Sequence, residues 1–182
     1  MHRPSAGEPT FGVRLAQAAL ERTTHEVTYD GRYRALAYPN GDVPNDQGVC
    51  TDLVVRAYRG VGIDLQRLVH EDMRASFSSY PNYWGLTLPD SNIDHRRVPN
   101  LRRFFERQGA ELPPSADPGD YQPGDVVSWR LPNNLAHIGI VAEAHSRDGT
   151  TPLVIHNIGD GPELDDSLFA FQITGHYRFT SH

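Results

Sequence analysis

The sequence contains almost no cysteine, since Cys50 is the single thiol among 182 residues. One cysteine rules out an intramolecular disulfide, so a hydrophobic core has to stabilise the fold, and a chain of this length can build one in a single domain. The count leaves the compartment open, because exported proteins of this size can lack disulfides. It also makes Cys50 the one candidate for thiol chemistry.

The sequence also lacks an excess of basic residues and any long apolar segment. Seventeen Lys and Arg residues stand against 23 Asp and Glu residues, a net charge of −6, whereas nucleic-acid binding requires a concentrated basic surface. No apolar run approaches the roughly 20 residues of a membrane-spanning helix. Residues 1–9 show neither the apolar core nor the cleavage site of a signal peptide. We therefore expect no nucleic-acid partner, no membrane insertion, and one domain over residues 1–182 with a disordered tail at residues 1–10.

Helical patterns come first along the chain and strand patterns follow. Apolar residues at helical spacing predict helices over residues 11–24, over residues 49–59, from the N-cap Asp64 onward, and from Pro99 to just before Gly109. β-Branched or aromatic runs predict strands over residues 125–129, 137–143, 152–157 and 173–179. Residues 29–49 and 76–98 are rich in turn formers and predict loops. Because the links between strands are short, the pattern predicts an α+β fold with N-terminal helices packed on an antiparallel β-sheet.

Cys50 lies where the glycine-containing segment Gly48-Val49 enters a predicted helix. The free N–H groups at a helix N-terminus stabilise an anion, so we expect the pKa of the thiol to be lowered there. The same N–H groups are suited to hold an oxyanion when a carbonyl carbon is attacked. The alternative is a buried structural cysteine, which is the more common role of a lone thiol.

Two histidines in the strand-rich half are candidate partners for this thiol. His137 opens a predicted strand and His156 lies on the next one. Adjacent antiparallel strands place side chains of one face next to each other, so His156 can fix the tautomer of His137. Asn157 points to the opposite face and is the weaker choice. We expect Gly139 to let a helix approach the His137 face closely. The sequence thus predicts Cys50 as nucleophile, His137 as base and His156 as the orienting group.

These residues resemble a known group, the NlpC-like papain-fold cell-wall cysteine peptidases. The resemblance covers about residues 38–157 and is carried, in order, by Gly48-Val49-Cys50-Thr51-Asp52, Pro123-Gly124-Asp125-Val126-Val127-Ser128-Trp129, Ala136-His137-Ile138-Gly139-Ile140-Val141 and Val154-Ile155-His156-Asn157. It implies a papain-like fold in which the nucleophile begins a helix, the base opens a strand and a third polar residue follows on the next strand. It implies no cofactor and no metal.

A closer likeness spans nearly the whole chain. The segments Tyr38-Pro39-Asn40-Gly41-Asp42-Val43-Pro44, Val49-Cys50-Thr51-Asp52, Asp64-Leu65-Gln66, Val69-His70-Glu71-Asp72-Met73 and residues 93–101 are similar to a family of bacterial proteins of undefined function, mostly exported, that is grouped with these peptidases. The likeness implies that the protein acts in the periplasm or at the cell wall. Residues 1–9 show no signal peptide, which leaves open action where the protein is made, a shortened N-terminus, or export by another route, as for a secreted antibacterial effector.

Residues around the thiol are candidates for substrate binding. Peptidases of this group typically have Asp-Cys-Ser-Gly at the nucleophile, whereas this chain has Val49-Cys50-Thr51-Asp52, so the substrate does not simply transfer with the resemblance. Thr51 and Asp52 are expected at the substrate or oxyanion side, although Asp52 also fits a helix cap. Tyr38 corresponds to a tyrosine that lines the site in that group, with Tyr33 and Tyr29 as competing candidates.

A basic segment offers a second group of candidate binding residues. The guanidinium groups of Arg96 and Arg97, next to His95, present forks that suit the carboxylates of a peptide stem. Internal ion pairs with Asp90 or Asp94 explain the two arginines equally well.

The resemblance implies hydrolysis of amide bonds in peptidoglycan peptide stems, as an endopeptidase or amidase acting as a monomer. An effector of this kind would meet an inhibitor or immunity protein as a partner. Two alternatives remain open: an acyltransferase that uses the same Cys–His site, and a metal-binding or non-catalytic recognition module. In the second alternative Cys50, His137 and His156 would hold zinc.

Overall fold

The fold is known from a computed structural model, which describes residues 6–180. Four helices contain Phe11–Glu21 (α1), Cys50–Gly60 (α2), Leu65–Ala75 (α3) and Val98–Arg107 (α4). The four predicted helices are thus confirmed, with boundaries shifted by a few residues. Residues 1–5 of the predicted tail lie outside the described residues. At the end of that tail, the hydroxyl of Thr10 accepts the N–H of Val13 at 3.2 Å and caps α1.

Eight strands accompany the helices. They contain Thr28–Tyr29 (β1), Gln47–Gly48 (β2), Glu111–Leu112 (β3), Val126–Arg130 (β4), Ala136–His145 (β5), Pro152–His156 (β6), Glu163–Asp165 (β7) and Gln172–Tyr177 (β8). Strands β1 and β2 form a small parallel pair, and the other six form one sheet in the order β3-β8-β4-β5-β6-β7. Every pairing within the six-stranded sheet is antiparallel. The predicted α+β class with an antiparallel sheet is therefore confirmed, while β1, β2, β3 and β7 fall in segments for which the sequence predicts loops or no strand.

The helices pack on one face of this sheet. Alternation along β5 directs Ile138 and Ile140 into the main core, where they meet Val54 and Tyr58 of α2. Burial of such side chains contributes about 1.5–3 kcal/mol each. This packing fixes the start of α2 against β5, which brings Cys50 to the sheet.

The opposite face of the sheet carries a second, smaller core. Trp129, Val141 and Val154 are buried there together with Leu168, whose carbonyl accepts the indole N–H of Trp129 at 2.9 Å. His137 and Gly139 belong to this side of β5 by alternation, and the imidazole of His137 lies 5.5 Å from the Trp129 ring. The predicted helix approach at Gly139 is therefore wrong.

Gly139 instead makes room for a neighbouring strand. Gly139 pairs with His156 across β5 and β6. A Cβ atom at position 139 would lie 2.9 Å from Cβ of His156 and 3.2 Å from the Trp129 ring. The missing side chain lets these two residues close around the position.

No helix among residues 6–180 is long and apolar enough to cross a membrane.

Candidate functional site

Cys50 is the first residue of α2 and is almost completely buried, with 5% of its surface exposed. The preceding residue, Val49, is extended and acts as the N-cap. The Asp52 carboxylate accepts the N–H of Val49 at 2.8 Å, which ties the entry of the helix to its first turn. The thiol therefore lies at a helix N-terminus, as the sequence predicts.

The predicted lowering of the thiol pKa is wrong. Burial raises the pKa of Cys50 to about 11, and it outweighs the opposing hydrogen bonds from the N–H of Ile138, the N–H of Thr51 and the Tyr29 hydroxyl. The negative charge of Asp52 raises it further. Removal from water disfavours the thiolate more than the helix N-terminus favours it. At neutral pH the resting thiol is protonated.

His137, His156 and Asp165 form a continuous hydrogen-bonded chain, here called the histidine relay. Nε2 of His137 lies 2.8 Å from Nδ1 of His156, and Nε2 of His156 lies 2.8 Å from Oδ1 of Asp165. Both imidazoles are buried, with 2% and 1% of their surface exposed, whereas 36% of the Asp165 side chain is exposed. Neighbouring strands β5, β6 and β7 each supply one member.

The carboxylate sets the proton positions throughout the relay. A carboxylate only accepts hydrogen bonds, so Nε2 of His156 carries the proton and its Nδ1 is an acceptor. His137 must then donate from Nε2, which leaves its Nδ1 without a proton. Burial lowers the pKa of His137 to about 3, so the ring is neutral. The relay therefore produces the tautomer in which Nδ1 of His137 is a free base.

The strand that carries His137 also passes the thiol. Ile138, which follows His137 directly, presents its N–H to the Cys50 sulfur. Among residues 6–180, no direct hydrogen bond joins the thiol to the His137 ring, and Nδ1 is the ring nitrogen that His156 does not engage. Catalytic hydrogen bonds are often long before substrate binds. Alternation along β5 directs the Ile138 side chain to the helix side and the His137 ring to the Trp129 side, so the resting structure shows an imidazole oriented by a carboxylate but no thiol–imidazole pair.

The structure places several predicted substrate-binding residues in internal contacts. The guanidinium group of Arg96 binds Asp52 with two hydrogen bonds of 2.9 and 3.0 Å, and both side chains are buried. The hydroxyl of Thr51 donates to the carbonyl of Arg96 at 2.9 Å. Asp52 thus caps α2 and pairs with Arg96, a partner that the sequence did not indicate. These three residues hold the start of α2 in place.

The two remaining residues of the basic segment differ in exposure. His95 is 2% exposed, and burial lowers its pKa to about 4, so its ring is neutral. The guanidinium carbon of Arg97 lies 4.0 Å from the centre of the Trp84 ring, a cation–π contact, and the group is 4.0 Å from Asp94. Arg97 is the more accessible of the two arginines in this segment.

The tyrosine near the thiol is not the one that the resemblance implies. Tyr38 packs on His70, with ring centres 5.0 Å apart. Tyr29, on β1, is the tyrosine near the Cys50 thiol, and burial of its hydroxyl, followed by the proximity of Cys50, raises the pKa of Tyr29 to about 12. The position beside the sulfur therefore belongs to Tyr29, which the sequence offered as a competing candidate.

Asp165 is the member of the relay that the sequence did not reveal. It follows a segment of glycine, proline and acidic residues that predicts a loop, yet Glu163–Asp165 forms the short edge strand β7. Asn157 stays outside the relay, because its side chain accepts the N–H groups of Gly159 and Gly161 and shapes a turn.

The residues suited to hold a metal ion differ from the set that the sequence offered. Among residues 6–180, one group of three or more potential ligands gathers within 4.8 Å, and it contains His156, Glu163 and Asp165. The alternative zinc set with Cys50 and His137 does not form such a group.

Known proteins were compared with this chain by sequence and by structure. A protein of Escherichia coli (strain K12), described as uncharacterized protein YijF, is 54% identical over 165 residues, which cover 91% of this chain and 80% of that protein. Among solved structures, NlpC1 from Trichomonas vaginalis aligns with a TM-score of 0.47 and 15% identity over 92% of this chain. The chain spans less than half of that structure, 43% of its length. The model of the family described as a domain of unknown function (DUF1287) matches residues 16–179. This chain therefore belongs to that family.

Proposed function

We propose that the chain is a cysteine hydrolase that cleaves an amide bond in peptidoglycan peptide stems, with Cys50 as the nucleophile and His137 as the base. The observation that carries this proposal is the histidine relay, which leaves Nδ1 of His137 without a proton and whose first member directly precedes Ile138, the residue whose N–H faces the single thiol. A buried structural cysteine does not require two hydrogen-bonded imidazoles and a carboxylate on the adjacent strands.

The chemistry follows from the neutral resting state. Burial raises the pKa of Cys50 and lowers that of His137, so both groups are neutral at rest and these shifts oppose proton transfer before attack. The proton therefore moves to Nδ1 only as the sulfur attacks the carbonyl carbon. The N–H groups at the start of α2 stabilise the oxyanion. Asp165, acting through His156, stabilises the imidazolium that forms.

Breakdown of the intermediate completes the cycle. His137 returns the proton to the leaving amine, and a thioester remains on Cys50. Water, deprotonated by His137, then attacks the thioester carbonyl and releases the acid and the free thiol. Each step uses the same Nδ1 atom, alternately as base and acid.

The substrate class rests on the resemblance to cell-wall cysteine peptidases, carried by the segments around Cys50, His137 and His156. The same resemblance supports the proposal that the activity lies in the periplasm or at the cell wall. Arg97 supports a peptide-stem substrate, because its partly exposed guanidinium group is suited to a carboxylate. An inhibitor or immunity protein is the partner expected of an effector with this activity.

The test is incubation with purified cell-wall sacculi, followed by mass analysis of the released fragments. Wild type should release peptides cut at one type of amide bond, and Cys50→Ala and His137→Ala should release none. His145→Ala is the matched control, because His145 is an exposed histidine on the same strand β5. Full release by Cys50→Ala would refute the proposal, and fragments that carry an added amine in place of water would identify a transferase.

A further inference from the structure

A histidine and two carboxylates lie together at the open end of the relay. His156 on β6 pairs in register with Glu163 on β7, and Asp165 follows two residues later on the same strand. One potential ligand atom from each of the three residues lies within 4.8 Å of the others. Asp165 is 36% exposed, so the group is open to solvent on one side.

Among residues 6–180, neither carboxylate pairs with a Lys or Arg side chain. Among residues 6–180, Glu163 forms no ion pair, and the single ion-pair partner of Asp165 is His156. The neighbouring Asp160 and Asp166 add negative charge to the same segment, which contains no Lys or Arg between residues 158 and 168. Two close carboxylates without a cation repel each other, and a bound divalent ion removes that repulsion.

We propose that His156, Glu163 and Asp165 form an inhibitory site for Zn²⁺ or a similar divalent transition-metal ion. One imidazole nitrogen and two carboxylate oxygens, with water in the fourth position, are a ligand set that zinc accepts at about 2.0–2.2 Å. The ion enters between Nε2 of His156 and Oδ1 of Asp165 and replaces their 2.8 Å hydrogen bond. The inhibitory role rests on the proposed function, whereas the binding site itself does not.

Metal binding reverses the proton positions in the relay. Once Nε2 of His156 binds the ion, the ring carries its proton on Nδ1 and donates it to Nε2 of His137. His137 must then carry its own proton on Nδ1, the atom that has to accept the proton of Cys50. Each ring keeps one proton, which changes from Nε2 to Nδ1, so no proton is lost overall. The base is thereby blocked while the fold and the thiol are unchanged.

The binding site is tested by calorimetric titration of the full chain with zinc chloride. Wild type should bind one ion, and Glu163→Gln should bind it about tenfold more weakly or worse, because a charged ligand is lost. Asp166→Asn is the matched control, since it removes one exposed acidic charge from the same segment and should bind as wild type does. Absence of zinc binding, or equal affinity in Glu163→Gln and wild type, would overturn the proposal.

The reversal is tested by long-range ¹H–¹⁵N correlation spectra of the histidine side chains. Without metal, His137 and His156 should both be protonated at Nε2, and with zinc both should be protonated at Nδ1. Unchanged tautomers in the zinc-bound protein would overturn the inhibitory mechanism.

Activity separates this proposal from the proposed function. Zinc should abolish peptide release from sacculi, and a chelator should restore it in wild type, while Glu163→Gln should keep its activity at zinc concentrations that inhibit wild type. If zinc binds and reverses the tautomers but metal-free protein releases no peptide, the site stands and the proposed hydrolase function fails. Peptide release that continues with zinc bound would overturn the inhibitory role.

Discussion

Iodoacetamide should alkylate native Cys50 about a hundredfold more slowly at mildly alkaline pH than it alkylates the same thiol in the unfolded chain. Only the thiolate reacts, and burial raises the pKa of Cys50 to about 11 from an ordinary value of 9.0. Two pH units correspond to about a hundredfold less thiolate at any pH well below the ordinary pKa. Because only 5% of the Cys50 surface is exposed, restricted access of the reagent to the sulfur slows the reaction further.

The assay follows the mass of the intact protein with time from about pH 6 to about pH 10. Because Cys50 is the single thiol, every adduct reports on this site. The native rate should keep rising about tenfold per pH unit through the whole range, whereas the rate in denaturant should level off near the ordinary pKa. A native rate that is high and constant at acid pH, and that falls in His137→Ala, would refute the reasoning, because it would reveal a thiolate–imidazolium pair already formed at rest.

Three further predictions concern the residues that hold the site together. Asp52→Ala should lower the free energy of unfolding in urea by about 3–5 kcal/mol, because it leaves Arg96 buried without a counter-charge. Glu71→Ala, which breaks an exposed ion pair, should lower it by less than about 1 kcal/mol. Equal losses in the two variants would contradict a stabilising role for the buried Asp52–Arg96 pair. Asp165→Asn should reduce peptide release at least tenfold, up to about 10⁴-fold, with little change in melting temperature. The reason is that an amide N–H donor no longer enforces the required tautomer of His156. Activity within twofold of wild type would exclude Asp165 from the relay. Gly139→Ala should destabilise the protein by about 1–3 kcal/mol and weaken the relay, because its Cβ would press on β6; an unchanged urea midpoint would show that the strands relax freely.

Much of the fold could be predicted because strong local patterns coincide with the tertiary structure. The helix from the N-cap Asp64 begins as expected, with its carboxylate accepting the N–H of Gln66 at 3.1 Å. Strand β5 likewise extends from Ala136, one residue before the predicted start. The short strands β3 and β7 could not be predicted, because two or three residues carry no periodicity and form a strand only through pairing with β8 and β6.

Several features of the candidate site depend on tertiary structure that local sequence patterns do not show. Cys50, His137 and His156 stay predictions as catalytic residues, and the sequence indicated them because each stands at an element boundary or on a predicted strand. Asp165 was missed because its segment predicts a loop. The choice of Tyr38 over Tyr29 followed the resemblance, whereas the pairing of β1 with β2 decides which tyrosine reaches the thiol. The direction of the Cys50 pKa shift was wrong because a sequence shows the helix N-terminus but not the burial that outweighs it.

The central claim is that the sulfur of Cys50 attacks a carbonyl carbon, and acid quenching during turnover tests it most directly. Wild type mixed with soluble cell-wall peptides, quenched early and digested, should yield the Cys50 peptide with the mass of the acyl part of the substrate added as a thioester. His137→Ala should yield none. Substrate turnover with no adduct on Cys50 at any quench time, together with full activity of Cys50→Ala, would contradict the account.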